Sequence, residues 1–410
     1  MERGARRLGS AGAHVSDYDV VIIGAGSAGC VLANRLSADA SRRVLLVEAG
    51  GGHRHPLLHI PAGWAANFRN PKVDWGFRTE PEPELNGRSI YWPRGKVLGG
   101  SSAINGMVYV RGVPLDFERW AQAGATGWGY DEVLPYFRKA EAQQRVNDDF
   151  HGADGPLYVE DVRDKREPHE AFIAGMGELG IPRNDDFNGA DQAGAGYYQF
   201  NQHHGRRWST ASAYLDPARG RANLDVVTRT VAHRVTFAQQ RVTGVVLQGK
   251  GAPPREVAAQ HVVLCGGSIN SPQLLELSGI GDGERLQRLG IDVVAHLPEV
   301  GENLQDHVIA KAVYGTRAEH SINREVQGWR LGPTALRWLL ARRGPLTTGS
   351  APVGGFWYTR DGLEAHDIQI HFASGATLYN REGKIRALPT PAMKAVSDQN
   401  RQESNGCIHI

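Results

Sequence analysis

Cysteine is scarce: the 410-residue chain carries only Cys30, Cys265 and Cys407. They are odd in number and far apart, and two sit in apolar runs. A disulfide framework and a cysteine-based metal site are thereby excluded, and a reducing compartment is indicated. No run of ~18 uninterrupted apolar residues occurs, so a membrane-spanning helix is not expected. An excess of one charge is missing too. The 46 basic and 44 acidic side chains leave a formal net charge of +2, with no long basic run, which excludes nucleic acid as a partner. Arg3, Arg6 and Arg7 make a short basic start, but Glu2 and Asp17 bracket it and no apolar h-region follows. It reads as a solvated tail, with a mitochondrial address the lesser reading. There is no G-x-S-x-G serine elbow, no P-loop, no internal repeat and no low-complexity tract. Of the 16 histidines, His53, His55 and His59 are closely spaced and His203 and His204 adjacent. Neither group has a cysteine or carboxylate beside it at ligand spacing, so no metal is assigned.

Glycine, by contrast, is abundant: 51 residues, without a collagen-like period. The first cluster follows a β-branched run, Asp19 to Ile23, that reads as a strand buried on both faces. Gly24-Ala25-Gly26-Ser27-Ala28-Gly29 then gives the G-x-G-x-x-G pattern, and Ser27 to Leu36 reads as a helix with Cys30 as a small core residue. The free N–H groups of that helix start suit a phosphate. A second apolar run, Val44 to Val47, ends at Glu48 and Ala49, placing an acid nineteen residues after Gly29 to accept hydrogen bonds from ribose hydroxyls. Together these signals predict a dinucleotide fold, with FAD and NAD both open at this point.

The second cluster runs from Arg94 through Val97, Gly99, Gly100, Ser102, Ile104, Asn105 and Gly106 to Met107 and Val108. Its glycines and serines make it rich in backbone donors, while Val97, Leu98 and Ile104 ask for burial. This stretch resembles the first sequence pattern of the glucose–methanol–choline (GMC) oxidoreductases, and Gly267 to Gly281 resembles the second. Trp75, Trp92-Pro93-Arg94, Met107 to Gly112 and Gly301 to His307 are similar to the bacterial alcohol and choline dehydrogenase branch. The likeness covers about residues 17 to 380.

The resemblance implies an α/β fold: a Rossmann-like FAD-binding domain with a parallel sheet over 17–315, with substrate-side insertions near 60–93 and 151–220. An incomplete α+β substrate-binding domain would follow over 316–410. It implies Gly24, Gly26 and Glu48 on the adenosine side of an extended FAD, the Gly99 to Asn105 loop on its pyrophosphate and ring, and the Val231 main chain at the adenine. Ile104 occupies the position where some members attach flavin to histidine, so non-covalent FAD is expected. The strand His261 to Leu264, a turn, and a helix capped by Ser271 with Pro272 at its first position should return to the cofactor. Asp225 to Thr228, Ala232 to Ala238 and Val242 to Gln248 should form an accompanying small sheet. Phe172, Ile173, Met176 and Leu179 have helical spacing; Arg206-Arg207 and Trp208-Ser209-Thr210 resemble a commonly seen basic segment, with ordinary structural roles equally open.

The implied activity is oxidation of a primary alcohol, aliphatic, diol or choline-like, to the aldehyde. Hydride passes to flavin and then to an unnamed acceptor, a quinone or other. A redox-silent FAD-binding or regulatory protein, a lyase and a nicotinamide enzyme are the rivals. The implied location is cytoplasmic, with room for peripheral membrane contact. The family's catalytic histidine pair is expected beyond Ile410, so no catalytic base is assigned. The chain alone is expected to be poorly stable or inactive.

Overall fold

In a computed structural model, the structure describes residues 18–145, 147–379 and 385–410. The first sheet is built from strands β1 (Tyr18–Ile23), β2 (Val44–Glu48), β3 (Leu224–Thr228), β4 (Thr230–Ala238), β5 (Arg241–Gly249) and β6 (Arg255–Leu264), in the order β3-β2-β1-β6-β5-β4. The pairs β3–β2, β2–β1 and β1–β6 are parallel, and Val21 sits opposite both Leu45 and Val262. Because side chains alternate along a strand, Val20, Ile22, Val44 and Leu46 meet Cys30 and Ala33 of helix α1 (Ser27–Leu36) on one face. Val21, Ile23, Leu45 and Val47 meet Val245, Leu247, Val257 and Leu274 on the other. Covering both faces is why these strands read as unbroken apolar runs. Each such buried side chain contributes about 1.5–3 kcal/mol of transfer free energy, offset by ordering entropy.

Two expectations change here. Leu224–Thr228 does not join a small accessory sheet; it is the outer parallel strand beside β2, Thr228 opposite Glu48. Strand β6 joins the parallel and antiparallel halves of this one sheet, because Arg255 to Ala258 pairs antiparallel with β5 while Ala259 to Leu264 pairs mainly parallel with β1. Further along the chain, helix Glu167–Glu178 buries Ile173 and Met176 as its spacing implies, but Leu179 is the C-cap and lies exposed.

A second, antiparallel sheet comprises β7 (Ile309–Gly315), β8 (Val353–Trp357), β9 (Ile368–Ala373) and β10 (Ala392–Gln399), ordered β7-β10-β9-β8 and edged by Gly194–Tyr197. Strand β7 lies before the expected domain boundary at 315, yet it pairs along its whole length with β10 and so belongs to this layer. Met107, Tyr198, Phe200, Val353, Phe356 and Phe372 form the core beneath the second sheet. The end of the glycine-rich loop is therefore anchored in the second layer's core.

Candidate cofactor-binding site

Strand β1 runs into Gly24, whose φ of +100° is readily adopted only by glycine. A Cβ there would also lie 2.3 Å from the Cys265 carbonyl oxygen, and one at Gly29 would lie 1.9 Å from the Gly24 oxygen. These two glycines are needed for chain packing. Gly26 differs: its nearest neighbour for a Cβ is the Gly100 Cα at 3.9 Å. Helix α1 starts there with no side-chain cap and no acid in its first turn, and Ser27 and Ala28 are exposed. Its first N–H groups thus lack intrahelical partners and face outward. This is the arrangement an anionic group needs.

The second cluster lies directly against the first. Gly99 N–H donates to the Ala25 carbonyl at 2.8 Å, Leu98 N–H donates to the Gly51 carbonyl at 3.0 Å, and a Cβ on Gly100 would come within 2.6 Å of the Gly26 Cα. Gly99 and Gly100 both have positive φ, +93° and +52°. Val97 bridges Gly51, and Gly50 leaves room for the Lys96 carbonyl, so the segment following Glu48 and Ala49 is stitched to the loop along several residues. Upstream, Arg94 N–H donates to Asp74 and its guanidinium lies over Trp92 at 4.6 Å.

Glu48 is 5% exposed. Its two oxygens accept from Ala25 N–H at 3.0 Å and Gly50 N–H at 2.7 Å. Burial pushes its carboxyl up to about 7, against the opposing pull of those two N–H groups. The acid thus ties the first glycine turn to the end of β2, and each oxygen keeps a second acceptor position. Cys30 is buried, its thiol pushed up to about 12 by burial, and so is inert core. Val231 lies apart from the loops at the start of β4 and is 40% exposed; Arg229, two residues earlier, donates its N–H to the Gly50 carbonyl at 2.7 Å.

The third element departs from expectation in its start. Helix α2 (Gly267–Leu277) begins at Gly267, with Gly266 as N-cap, so Ser271 does not cap it and Pro272 lies inside it. The helix thus starts a turn early, directly after a tight turn in which Gly267 has a φ of +79° and Cys265 N–H donates to the Ile23 carbonyl at 2.7 Å. Like α1, it has no side-chain cap and no first-turn acid. A Cβ on Gly24 would sit 3.1 Å from the Gly266 nitrogen, so two uncapped helix starts converge on one glycine.

The structural reading of Arg207 becomes specific here, because it is the residue that holds the loop. Arg207 is 2% exposed, and burial pulls its guanidinium down to about 9, still protonated at neutral pH. It donates to the Asn105 side chain and carbonyl, both at 2.8 Å, and to the Ser102 carbonyl at 3.2 Å. Ser102 in turn contacts the Thr210 hydroxyl at 3.0 Å, and Asn105 Oδ1 accepts from Met107 N–H at 3.1 Å. Met107 itself is buried at a φ of +67°, and Val108 pairs with Phe200. A buried arginine beside carbonyls has no spacing signature; only the basic Arg206-Arg207 pair hinted at it. Elsewhere, Glu302, Cys407 and His409 bring potential ligand atoms within 4.8 Å of one another. His409 already bridges Glu276 and Glu302 at 2.8 Å each, which accounts for its two ring nitrogens as a hydrogen-bonded chain.

A model of the family described as GMC oxidoreductase matches residues 18–309. The chain belongs to that family. It is 44% identical over 380 residues to the mitochondrial choline dehydrogenase of Homo sapiens, covering 90% of this chain and 64% of that one. It is 42% identical over 359 residues to an alcohol dehydrogenase [acceptor] of Pseudomonas putida, covering 87% and 65%. This GMC chain thus spans somewhat under two thirds of the length of these relatives. Among solved structures it resembles pyridoxine 4-oxidase from Mesorbium loti, with a TM-score of 0.82 and 30% identity, covering 95% of this chain and 72% of that one. The family's cofactor, FAD, fits the crevice on three observations: the open Gly26 position, the uncapped start of α1 and the acid at the end of β2. No helix is long and apolar enough to cross a membrane among the described residues.

Proposed function

We propose that this chain holds FAD non-covalently and serves the oxidation of a primary alcohol to its aldehyde. Aliphatic alcohols, diols and choline-like substrates are favoured in that order. The carrying observation is the Gly26–Gly100 contact, which makes one crevice of two loops some seventy residues apart. Bound there, the flavin supplies a two-electron acceptor for the carbinol hydride. The first-turn amides of α1, Ser27, Ala28 and Gly29, hold the pyrophosphate, with Gly26 leaving room for its approach. Glu48 orients the ribose through its remaining acceptor positions, and Val231 presents main chain to the adenine. Gly99 to Asn105 lie along the pyrophosphate and ring, kept in place by Arg207.

Non-covalent attachment is supported by Ile104, which has no nucleophile and is 2% exposed in a cluster with Leu58, Val73, Val97 and Ala103. No residue here is assigned as the base for the hydroxyl proton. Such a base contributes about 10²–10⁴ in rate, so binding and turnover are measured separately. Purified protein should be yellow or take up added FAD, and acid precipitation should leave that FAD in the supernatant. Anaerobic mixing with 1-butanol, 1,2-propanediol and choline should bleach the flavin absorbance for the preferred class. A folded but colourless protein that refuses FAD sinks the proposal. Flavin bound but never bleached by alcohols sinks the oxidation alone.

A further inference from the structure

Three segments converge at the hairpin of Gln202–His203 and Arg206–Arg207, in which His203 stands opposite Arg206. Arg207 N–H donates to the His59 carbonyl at 3.0 Å, and a Cβ on Gly205, in the hairpin turn, would lie 3.1 Å from the Arg342 Cβ. His59, His203, His204, Arg206 and Arg342 thereby line one cavity of about 800 Å³, within the size range of small-molecule sites. Of these, His59, His203 and Arg342 are half-buried.

Over the whole chain the charges nearly cancel, 46 basic against 44 acidic, so five groups able to carry positive charge on one cavity are a local excess. The carboxylate in the lining, Asp216, is taken by His53 at 2.9 Å. Glu160, bonded to the hairpin turn, is occupied as well. It accepts the His204 N–H at 2.5 Å and the Gly205 N–H at 3.2 Å, and pairs with Arg163 at 3.3 Å. Burial, and then Arg206, hold His59 and Arg342 below their usual ranges, and burial and then His204 do the same for His203. That is the pattern of positive groups crowded without counter-ions. Arg207 also lines the cavity. It is 2% exposed, and its Nε has no hydrogen-bond partner among the described residues. A buried donor left open costs free energy that an acceptor restores. Two aromatic rings complete the picture. Tyr158 stacks on His203 with 3.8 Å between ring centres, and Trp208 meets both edge-on, its indole N–H held by the Pro156 carbonyl at 2.8 Å.

We propose that this cavity binds a soluble phosphate monoester carried on a ring, at a site separate from the FAD crevice. Its phosphate meets Arg206, Arg342 and the histidines, and its ring lies against Tyr158 and Trp208. A phosphate monoester brings about two negative charges and three acceptor oxygens to these donors, where a carboxylate brings a single charge. Arginine suits it through paired N–H donors, and ring stacking adds to the affinity. None of the residues assigned to FAD lines this cavity, so the inference is independent of the redox reading.

The test is calorimetric titration of the whole chain, with and without saturating FAD, with phenyl phosphate, inorganic phosphate, phenol and glutarate as probes. Phenyl phosphate should bind at least about tenfold more tightly than the other three, and equally well with FAD present. Arg206→Ala with Arg342→Asn should weaken it more than about tenfold; asparagine is chosen because residue 342 has a φ of +52°. Tyr158→Ser should remove the advantage of the ring while leaving the affinity for inorganic phosphate unchanged. Circular dichroism should be the same for all three proteins. Wild-type protein that does not bind phenyl phosphate overturns the proposal, as does a folded double arginine variant that binds it undiminished. Loss of binding when FAD is added places the ester in the cofactor crevice and overturns it too. Glutarate bound as tightly as phenyl phosphate would assign the cavity to carboxylates, an acidic side chain of a longer polypeptide included. Inorganic phosphate bound as tightly would make it a site for an adventitious ion only. Either result overturns the assignment.

Discussion

A methyl group added at Gly29 would lie 1.9 Å from the Gly24 carbonyl oxygen, a rigid backbone atom, whereas one at Gly26 has no protein atom nearer than 3.9 Å. Residues three apart in one motif should therefore fail differently. Gly29→Ala is expected to lower apo stability by about 2 kcal/mol or more through overpacking. Gly26→Val, at a φ of −76° that any residue adopts, should leave the apo melting temperature nearly unchanged but abolish stabilisation by added FAD. Thermal denaturation of both variants, with and without FAD, separates the roles. Glu48 gives a pH signature at the same scale. Its folded pKa of about 7 lies above its ordinary value of 4.5, so the folded state binds its proton more tightly than the unfolded chain. The resulting stability is fully present below about pH 4.5 and is lost as pH rises through 7, an effect of order ~3 kcal/mol. Denaturant titrations of apo protein should show the free energy falling over that window. Glu48→Gln should flatten the fall, and an unchanged slope would refute the assignment.

At the scale of elements, the loop from Arg94 to Val108 has little regular structure of its own and is held largely by its neighbours. Arg207 satisfies the Ser102 and Asn105 carbonyls from a site almost sealed from water. Arg207→Met keeps the length and removes those donors, leaving buried acceptors unpaired at about 1–3 kcal/mol each. The expected result is a stability loss of about 2–4 kcal/mol and an FAD affinity lowered at least tenfold in the folded fraction, read by fluorescence titration. Elements of this kind divide in how legible they were. Strand β1, the glycine turn and α1 follow from a β-branched run and a fixed glycine spacing, which are local signals. The start of α2 is misplaced in the sequence because Ser271-Pro272 looks like a cap and a first position, whereas the helix already runs from Gly267, after a glycine turn that carries no capping side chain. Leu224–Thr228 was placed in the wrong sheet because its partner, β2, lies far away in sequence. Long-range pairing leaves no mark on local composition.

Over the whole molecule, cofactor crevice and second sheet meet at a backbone contact that no motif announces. A Cβ on Gly349 would come within 2.2 Å of the Gly106 carbonyl oxygen and 3.1 Å of the Phe200 ring, and Ser350 N–H donates to that same carbonyl at 3.2 Å. The Pro345 to Ser350 strap thus presses on the end of the loop whose other end is sewn to Gly26 through Gly100. Because one continuous loop carries both contacts, displacing the strap should be felt where the nucleotide binds. Gly349→Val is expected to weaken FAD binding about tenfold or more, although residue 349 is not among those proposed to touch the cofactor. Gly355→Ala supplies the control. Its Cβ would meet the Gly194 carbonyl at 2.2 Å, inside the second sheet and away from the loop, so it should cost stability without changing affinity in the folded fraction. Equal affinity losses from the two substitutions, after normalising for folded protein, would show that general loosening rather than this contact governs the crevice.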